Sequence, residues 1–182
     1  MTDSLGNELL RQARAAISEA LGGPPCPLPA NLPELNEPGA TFVTLTRSGE
    51  LRGCIGSLQA HRPLLTDVRT NALSAALNDP RFYPLESSEL ARIRIEVSLL
   101  TLPETLEFSD EADLIAQIVP NEDGLIITSG PYRATFLPQV WEQLRDPREF
   151  LAHLKQKSGL PSNTPIEEFG VQRYRVRKWK EV

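Results

Sequence analysis

A four-residue repeat of apolar side chains opens the chain, at Leu5, Leu9, Ala13, Ile17 and Leu21. On a helix this spacing gives one apolar stripe, so it predicts a helix over residues 5–21 that buries the stripe. Six prolines follow between Pro24 and Pro38. Because proline is excluded from helix interiors and central strands, this stretch is predicted to be an ordered but irregular connection over the surface.

A β-hairpin is the next predicted element. Residues 40–46 are rich in β-branched side chains, Arg47-Ser48-Gly49-Glu50 is a turn signal, and residues 51–58 continue as a second strand. A two-residue turn would place Cys54 opposite Val43 and Arg52 opposite Leu45.

The remaining pattern alternates between helix and strand. Pro63 begins a helix that ends at Leu77, and its buried face of mostly small side chains lets it approach a sheet closely. Residues 92–99 alternate polar with aliphatic side chains, which predicts a strand with one wet face. The later patterns predict a helix over 109–118, a hairpin of 124–128 with 133–137, helices over 138–144 and 146–158, a helical turn at 164–167 and a basic final strand. This order favours an α+β fold, mainly antiparallel sheet with flanking helices, over a doubly wound fold.

Composition adds limits on the class of protein. The chain has 182 residues and a net charge of -5, which suits one domain over residues 1–182 and argues against nucleic-acid binding. No apolar run reaches the roughly 18 residues of a membrane span. The N-terminus does not resemble a secretory signal, so we expect a cytoplasmic protein without a membrane anchor.

The C-terminal basic stretch is the local exception to the negative charge. Its alternation places Arg173, Arg175 and Arg177 on one face of a predicted strand, with Lys178 and Lys180 close by. We interpret this as a solvated strand face that protects an edge, with nucleic-acid contact as the weaker hypothesis.

Few residues are suited to holding a cofactor. The two cysteines, Cys26 and Cys54, and the two histidines have no metal-ligand spacing, so a structural zinc site is not expected and both thiols should be reduced. Phosphate-binding loops, dinucleotide motifs and iron–sulfur cysteine clusters are absent from the sequence. The sequence therefore identifies no cofactor.

The hexapeptide Leu51-Arg52-Gly53-Cys54-Ile55-Gly56 pairs a cation with a thiol. On a strand Arg52 and Cys54 point to the same face, and a nearby guanidinium favours the reactive thiolate. The alternative is that Cys54 is a small apolar filler. Gly53 and Gly56 leave room either for a ligand or for the small-residue helix, and the sequence leaves that choice open.

A second candidate segment is Asn78-Asp79-Pro80-Arg81-Phe82. In one interpretation it is a helix-ending turn in which Asp79 bonds backbone amides and pairs with Arg81. In the other, Asp79 orients or deprotonates Cys54 while Arg52 and Arg81 hold an anionic group. His61 is a weaker candidate base, because a histidine in a loop before proline is more often solvated.

These segments together resemble the AMMECR family, whose prokaryotic members are also called the A component of AmmeMemoRadiSam systems. The resemblance extends along the chain through Gly39–Leu45, the hexapeptide, Asn71-Ala72, Asp79–Phe82, Pro84-Leu85, Val97-Ser98, Leu137–Val140, Phe150-Leu151 and Lys157–Leu160. Members often carry a cysteine where this chain has Lys155, so Cys54 would have to act without a second thiol there.

The resemblance implies an α+β fold of two unequal, interleaved lobes with the hexapeptide near a cleft between them. It implies no reaction, but the system name implies association with a Memo-like protein and a radical-SAM enzyme. Two hypotheses of function follow. The favoured one is a binding or accessory module in which Arg52, Gly53, Gly56 and Arg81 bind a small anionic ligand or a partner segment. The alternative is an enzyme with Cys54 as nucleophile and Asp79 as helper.

Overall fold

The structure, a computed structural model that describes residues 3–182, divides into two compact units. One unit combines the chain up to Leu100 with Arg177–Val182, and the other is Thr101–Val176. Each unit has its own four-stranded sheet and its own hydrophobic core. The α+β class expected from the sequence is confirmed.

The helices and strands agree closely with the predicted order. The α-helices are α1 Ser4–Ala20, α2 Leu64–Leu77, α3 Glu111–Gln117 and α4 Pro147–Ser158. The strands are β1 Ala40–Arg47, β2 Glu50–Gly56, β3 Ile93–Leu100, β4 Glu104–Leu106, β5 Gly124–Ser129, β6 Tyr132–Phe136, β7 Gly170–Tyr174 and β8 Val176–Lys180. Short 3-10 helices occupy Pro33–Asn36, Ser87–Glu89, Pro138–Glu142 and Ile166–Glu168.

Helix α1 forms where the apolar repeat predicts it. The Asp3 side chain caps its start by accepting a hydrogen bond from the Gly6 amide. Leu9, Ala13 and Ile17 are fully buried in the core of the first unit, where α1 packs against α2. Among residues 3–182, every helix is too short or too polar to span a membrane.

The first sheet has the strand order β2-β1-β3-β8, which leaves β2 at an edge. The β1–β2 hairpin turns through Ser48 and Gly49, both with positive φ (54° and 83°). Two such residues are what a tight type I′ turn requires, and Gly49 adopts this conformation without the strain of a side chain. Strand β3 pairs antiparallel with β1 and buries Ile93, Ile95 and Val97, as its alternating pattern predicts.

The second sheet has the order β4-β7-β5-β6 with antiparallel pairing throughout. Its core includes Trp141 stacked on Phe150, with ring centroids 3.8 Å apart. Helix α4 begins at the predicted cap, Asp146, and ends at Gly159, whose φ of 101° is left-handed. The segment 138–144, predicted as a helix, is a 3-10 helix over Pro138–Glu142.

The predicted single basic strand is wrong. It is interrupted at Arg175, whose amide donates to Thr101 Oγ1 and whose carbonyl accepts from the Thr101 amide, both at 2.8 Å. Strands β7 and β8 therefore belong to different sheets. Arg173 and Arg175 both pair with the buried carboxylate of Asp123, and Arg177 pairs with Asp3. These carboxylates offset the charges on which the nucleic-acid hypothesis depended.

Candidate functional site

A β-bulge at Arg52 shapes the hexapeptide. Before the bulge Leu51 lies opposite Thr46, and after it Gly53 lies opposite Leu45. Arg52 is the extra residue, and a bulge of this kind redirects the side chains around it. The predicted pairing of Arg52 with Leu45 is therefore wrong.

Cys54 lies opposite Thr44 rather than Val43, because the bulge shifts the register by one residue. Its Sγ is 3.3 Å from Thr44 Oγ1, and the residue is half-buried. Cys54 and Cys26 are both free thiols. The Cys54 thiol therefore lies beside a hydroxyl group on an edge strand and is partly open to solvent.

Asp79, which follows the end of α2, bonds to the outer edge of β2. Its Oδ2 accepts a hydrogen bond from the Cys54 amide at 2.9 Å, and its two oxygens accept three more from the amide, Nε and Nη2 of Arg81. Arg81 Nη2 also donates to the Cys54 carbonyl at 3.4 Å. The Asp79–Arg81 pair thus bonds both backbone groups of Cys54, much as a neighbouring strand would.

This bonding also defines the chemistry of Asp79. Hydrogen bonds from the Arg81 side chain hold the pKa of Asp79 well below its usual range, although burial acts in the opposite direction. A carboxylate with so low a pKa is a poor general base at neutral pH. Asp79 therefore bonds backbone amides and pairs with Arg81, as the turn interpretation of the sequence expected. In doing so it positions the Cys54 backbone.

Glu89 holds two arginines at the other end of the hexapeptide. It forms a bidentate pair with Arg52, whose Nε and Nη2 donate to its two oxygens at 3.0 Å, and it also accepts from Arg47 Nη1 at 2.6 Å. The Glu86 amide completes its set of donors. These bonds, first those from Arg52, lower the pKa of Glu89 to about 2. Glu89 lies outside every sequence motif and Arg47 is marked only as part of a turn signal, so the sequence alone could not single them out as site residues.

A pocket of about 420 Å³ opens beside these groups. Its walls are three arginines, two glutamates and an aromatic–proline run: Arg47, Arg52, Arg81, Phe82, Tyr83, Pro84, Glu86 and Glu89. The guanidinium carbons of Arg52 and Arg81 lie 5.9 and 5.5 Å from the centre of the Phe82 ring. The structure therefore brings Arg52 and Arg81 to one surface, as the anion-binding hypothesis expects.

At both glycines of the hexapeptide, neighbouring atoms fill the space that a side chain would take. A Cβ at Gly53 would lie 2.1 Å from the Ala75 carbonyl oxygen of α2, and one at Gly56 would lie 2.3 Å from the Phe42 ring. The Gly53 contact is the close approach of a small-residue helix that the α2 sequence predicts, and the Gly56 contact is with a side chain of β1. A ligand-binding role for Gly53 and Gly56 stays a prediction, and the structure accounts for both residues without it.

His61, the other candidate base, is not among the residues that line this pocket. His61 is in an exposed loop, where its Nδ1 is 2.9 Å from the Gln59 carbonyl oxygen. Within residues 3–182, no group of three or more histidine, cysteine or acidic side chains is arranged to hold a metal ion.

Sequence reasoning missed a buried polar network at the start of α2. Asp67 is fully buried, and its carboxylate accepts hydrogen bonds from Thr41, Ser57, Arg62 and Asn71 at 2.7–3.0 Å. These bonds join the start of β1 and the end of β2 to the helix. The available signal was the presence of Asp67 and Asn71 on the apolar face of the α2 repeat, because polar residues at buried positions are normally paired.

Comparison with known proteins identifies the family. The AMMECR1 family model matches residues 10–179. The chain belongs to the AMMECR1 family. A protein of Methanothermobacter thermautotrophicus is 43% identical over 159 residues, covering 86% of this chain and 83% of that protein. Protein MJ0810 of Methanocaldococcus jannaschii is 40% identical over 173 residues, covering 93% of this chain and 86% of that protein.

A solved structure of the same fold is also similar to this AMMECR1-family chain. The crystal structure of the uncharacterized protein PH0010 from Pyrococcus horikoshii matches with a TM-score of 0.80 and 35% sequence identity. The match covers 100% of this chain and 93% of that one. The fold and family are thereby established, and the names of these relatives state no activity.

Proposed function

We propose that this AMMECR1-family protein is a binding or accessory module that recognises an anionic group. Its recognition surface consists of Arg52 from the hexapeptide strand together with Arg81 and Phe82 from the turn after α2. The anionic group is a carboxylate or phosphate, carried either by a small molecule or by a partner segment.

One observation supports this proposal above the others. Arg52 Nη1 is the one buried side-chain polar atom, among residues 3–182, that has no hydrogen-bond partner. A buried donor without an acceptor costs about 1–3 kcal/mol, and more when the group is charged, so such atoms need an explanation. Arg52 lines the pocket while its Nη1 is buried, so a small rotation of the guanidinium would bring Nη1 to a bound anion, which would supply the acceptor.

The other two residues fit the same role. Arg81 is 54% exposed, so part of its planar guanidinium can still meet a ligand while the rest bonds Asp79. Phe82 offers an aromatic surface between two cations. Because Asp79 and Glu89 balance much of the local positive charge, recognition would depend on directed hydrogen bonds more than on a strong field. Binding should therefore weaken only modestly as salt rises.

Titration of the purified chain tests the proposal and separates the two sources of the anion. Phosphate, citrate and ATP represent small ligands, and a glutamate-rich peptide represents a partner segment. We expect a ligand of one of these two classes to bind, with Arg81→Gln lowering its affinity at least about tenfold. Arg148→Gln, an exposed arginine at the start of α4, is the matched control and should bind as the parent does. Equal affinities of all three proteins in every arm, or no binding in any arm, would contradict the proposal.

A cysteine-dependent enzyme is the second candidate. It is favoured by the partial exposure of Cys54 and by the position of Arg81, whose Nη2 contacts the Cys54 carbonyl. The low pKa of Asp79 leaves this candidate without a suitable base. Iodoacetamide labelling of the folded chain decides: a Cys54 thiol that is alkylated only after unfolding ends this hypothesis.

The partners that the family resemblance implies, a Memo-like protein and a radical-SAM enzyme, belong to the same proposal and are supported by the resemblance alone. Co-purification of the chain with each candidate gives a direct test. Loss of the complex in Arg81→Gln but not in Arg148→Gln would assign it to the recognition surface.

A further inference from the structure

The proline-rich segment after α1 has a conformation that its own covalent geometry restricts. In Pro24-Pro25-Cys26-Pro27-Leu28-Pro29, every residue either is a proline or precedes one. Proline fixes φ near −65°, and a residue before proline is pushed to extended ψ values. Residues 23–30 contain no helix, strand, turn or bend, as an extended segment requires. The segment therefore favours the polyproline-II conformation.

Helix α1 and its neighbour α2 hold this segment from one side. The Pro27 carbonyl accepts from Gln12 and Arg69, and the Leu28 carbonyl accepts from Arg11 at 2.9 Å. The Ala30 amide donates to Glu8 and the Cys26 amide donates to Glu19. Glu8 and Gln12 are buried, so two polar side chains of the first unit serve to fix the backbone of a surface segment.

The opposite side of the segment is open. Leu28 is 90% exposed, and every proline from 24 to 29 is exposed as well. A polyproline-II helix has three residues per turn, so Pro25 and Leu28 lie on the same edge. A single exposed leucine is common on protein surfaces and needs no explanation on its own. Here the backbone that carries the exposed pair is held by four hydrogen bonds within Pro24–Pro29 and by a fifth at Ala30.

We propose that Pro24–Pro29 is a preformed polyproline-II ligand that docks into an aromatic-lined groove of a partner protein. Pro25 and Leu28 enter the groove, as in other proline-rich recognition. The anchoring bonds order the segment before binding, so association loses less conformational entropy than it would for a free peptide. This segment shares no residue with the recognition surface at Arg52.

The test uses the full chain against immobilised SH3, WW and EVH1-type domains. At least one domain should bind, and Leu28→Asp should weaken that binding at least tenfold. Leu102→Asp is the matched control, because Leu102 is also exposed and also precedes a proline, but lies outside a proline-rich segment. Binding by none of the domains, or equal loss in both variants, would overturn the proposal.

A second variant tests the preformed conformation. Arg11→Gln removes the bond to the Leu28 carbonyl and should weaken binding about threefold, with the folded state verified by circular dichroism. An unchanged affinity in folded Arg11→Gln would show that the anchoring bonds do not contribute.

Discussion

The Asp79 carboxylate accepts a hydrogen bond from the Cys54 amide at 2.9 Å, joining the turn after α2 to the edge of β2. The same carboxylate holds Arg81, so one buried side chain positions both the hexapeptide and a cation of the recognition surface. A peptide amide on an edge strand would otherwise be open to pairing with another chain. Asp79 therefore protects the edge at the point where the protein presents its candidate site.

Replacing Asp79 should measurably destabilise the fold. In Asp79→Ala the Cys54 amide and Arg81 lose their acceptor, and we expect a loss of about 2–4 kcal/mol in the free energy of unfolding. Asp79→Asn keeps one acceptor oxygen and should lose less. Urea denaturation compares the three proteins. A loss below about 0.5 kcal/mol in Asp79→Ala would show that the carboxylate does not hold the edge.

Gly53 should not tolerate a methyl group. A Cβ there would approach the Ala75 carbonyl oxygen to 2.1 Å, and backbone on both sides must move to relieve the overlap. We expect Gly53→Ala to cost about 3 kcal/mol or more. Gly170→Ala in β7 is the control, since its nearest neighbour would be 3.8 Å away, and thermal unfolding of both variants gives the comparison. Equal midpoints would contradict the close approach of α2 to β2.

Acid should remove the contribution of Glu89. Its pKa falls from 4.5 to about 2 on folding, chiefly because of Arg52. Because the folded-state pKa is the lower one, the pair stabilises the fold above about pH 4.5, and this stabilisation is lost as the pH falls towards about 2. The full shift corresponds to about 3 kcal/mol as an upper bound, which the partial exposure of Arg47 reduces.

The matched measurement uses Glu89→Gln, which cannot titrate. Both proteins are unfolded in urea at about pH 6 and about pH 3. The parent should have the larger free energy of unfolding at the higher pH, and the difference should shrink at the lower pH. An advantage that does not change with pH would assign the role of Glu89 to something other than its charge.

The sequence predicts the local parts of this structure well. The β1–β2 hairpin follows from Ser48-Gly49, and α1 follows from its four-residue repeat, because both depend on residues close in the chain. The bulge at Arg52 could not be predicted in the same way. It lies next to Gly53, which approaches the Ala75 carbonyl from more than twenty positions away in the chain, and no local pattern marks that approach.

The residues of the candidate site differ in the same way, since some belong to local motifs and others join the site only through tertiary contacts. Arg52 and Arg81 could be named from their motifs, whereas Glu89, which binds Arg52, lies in a segment without a motif. The break at Arg175 has a similar origin, since Thr101 pairs with its backbone from far along the chain. Tertiary contacts of this kind produce no repeating pattern of residues in the sequence.

If Arg52 and Arg81 together receive an anion, the arginine side-chain Nε–H signals of the ¹⁵N-labelled chain report its binding directly. During titration with phosphate, citrate, ATP and the glutamate-rich peptide, one arm should shift the Arg52 and Arg81 signals in a saturable way while Arg148 stays in place. Signals that do not move, or that move alike for exposed arginines across the chain, would show that Arg52 and Arg81 do not form an anion site.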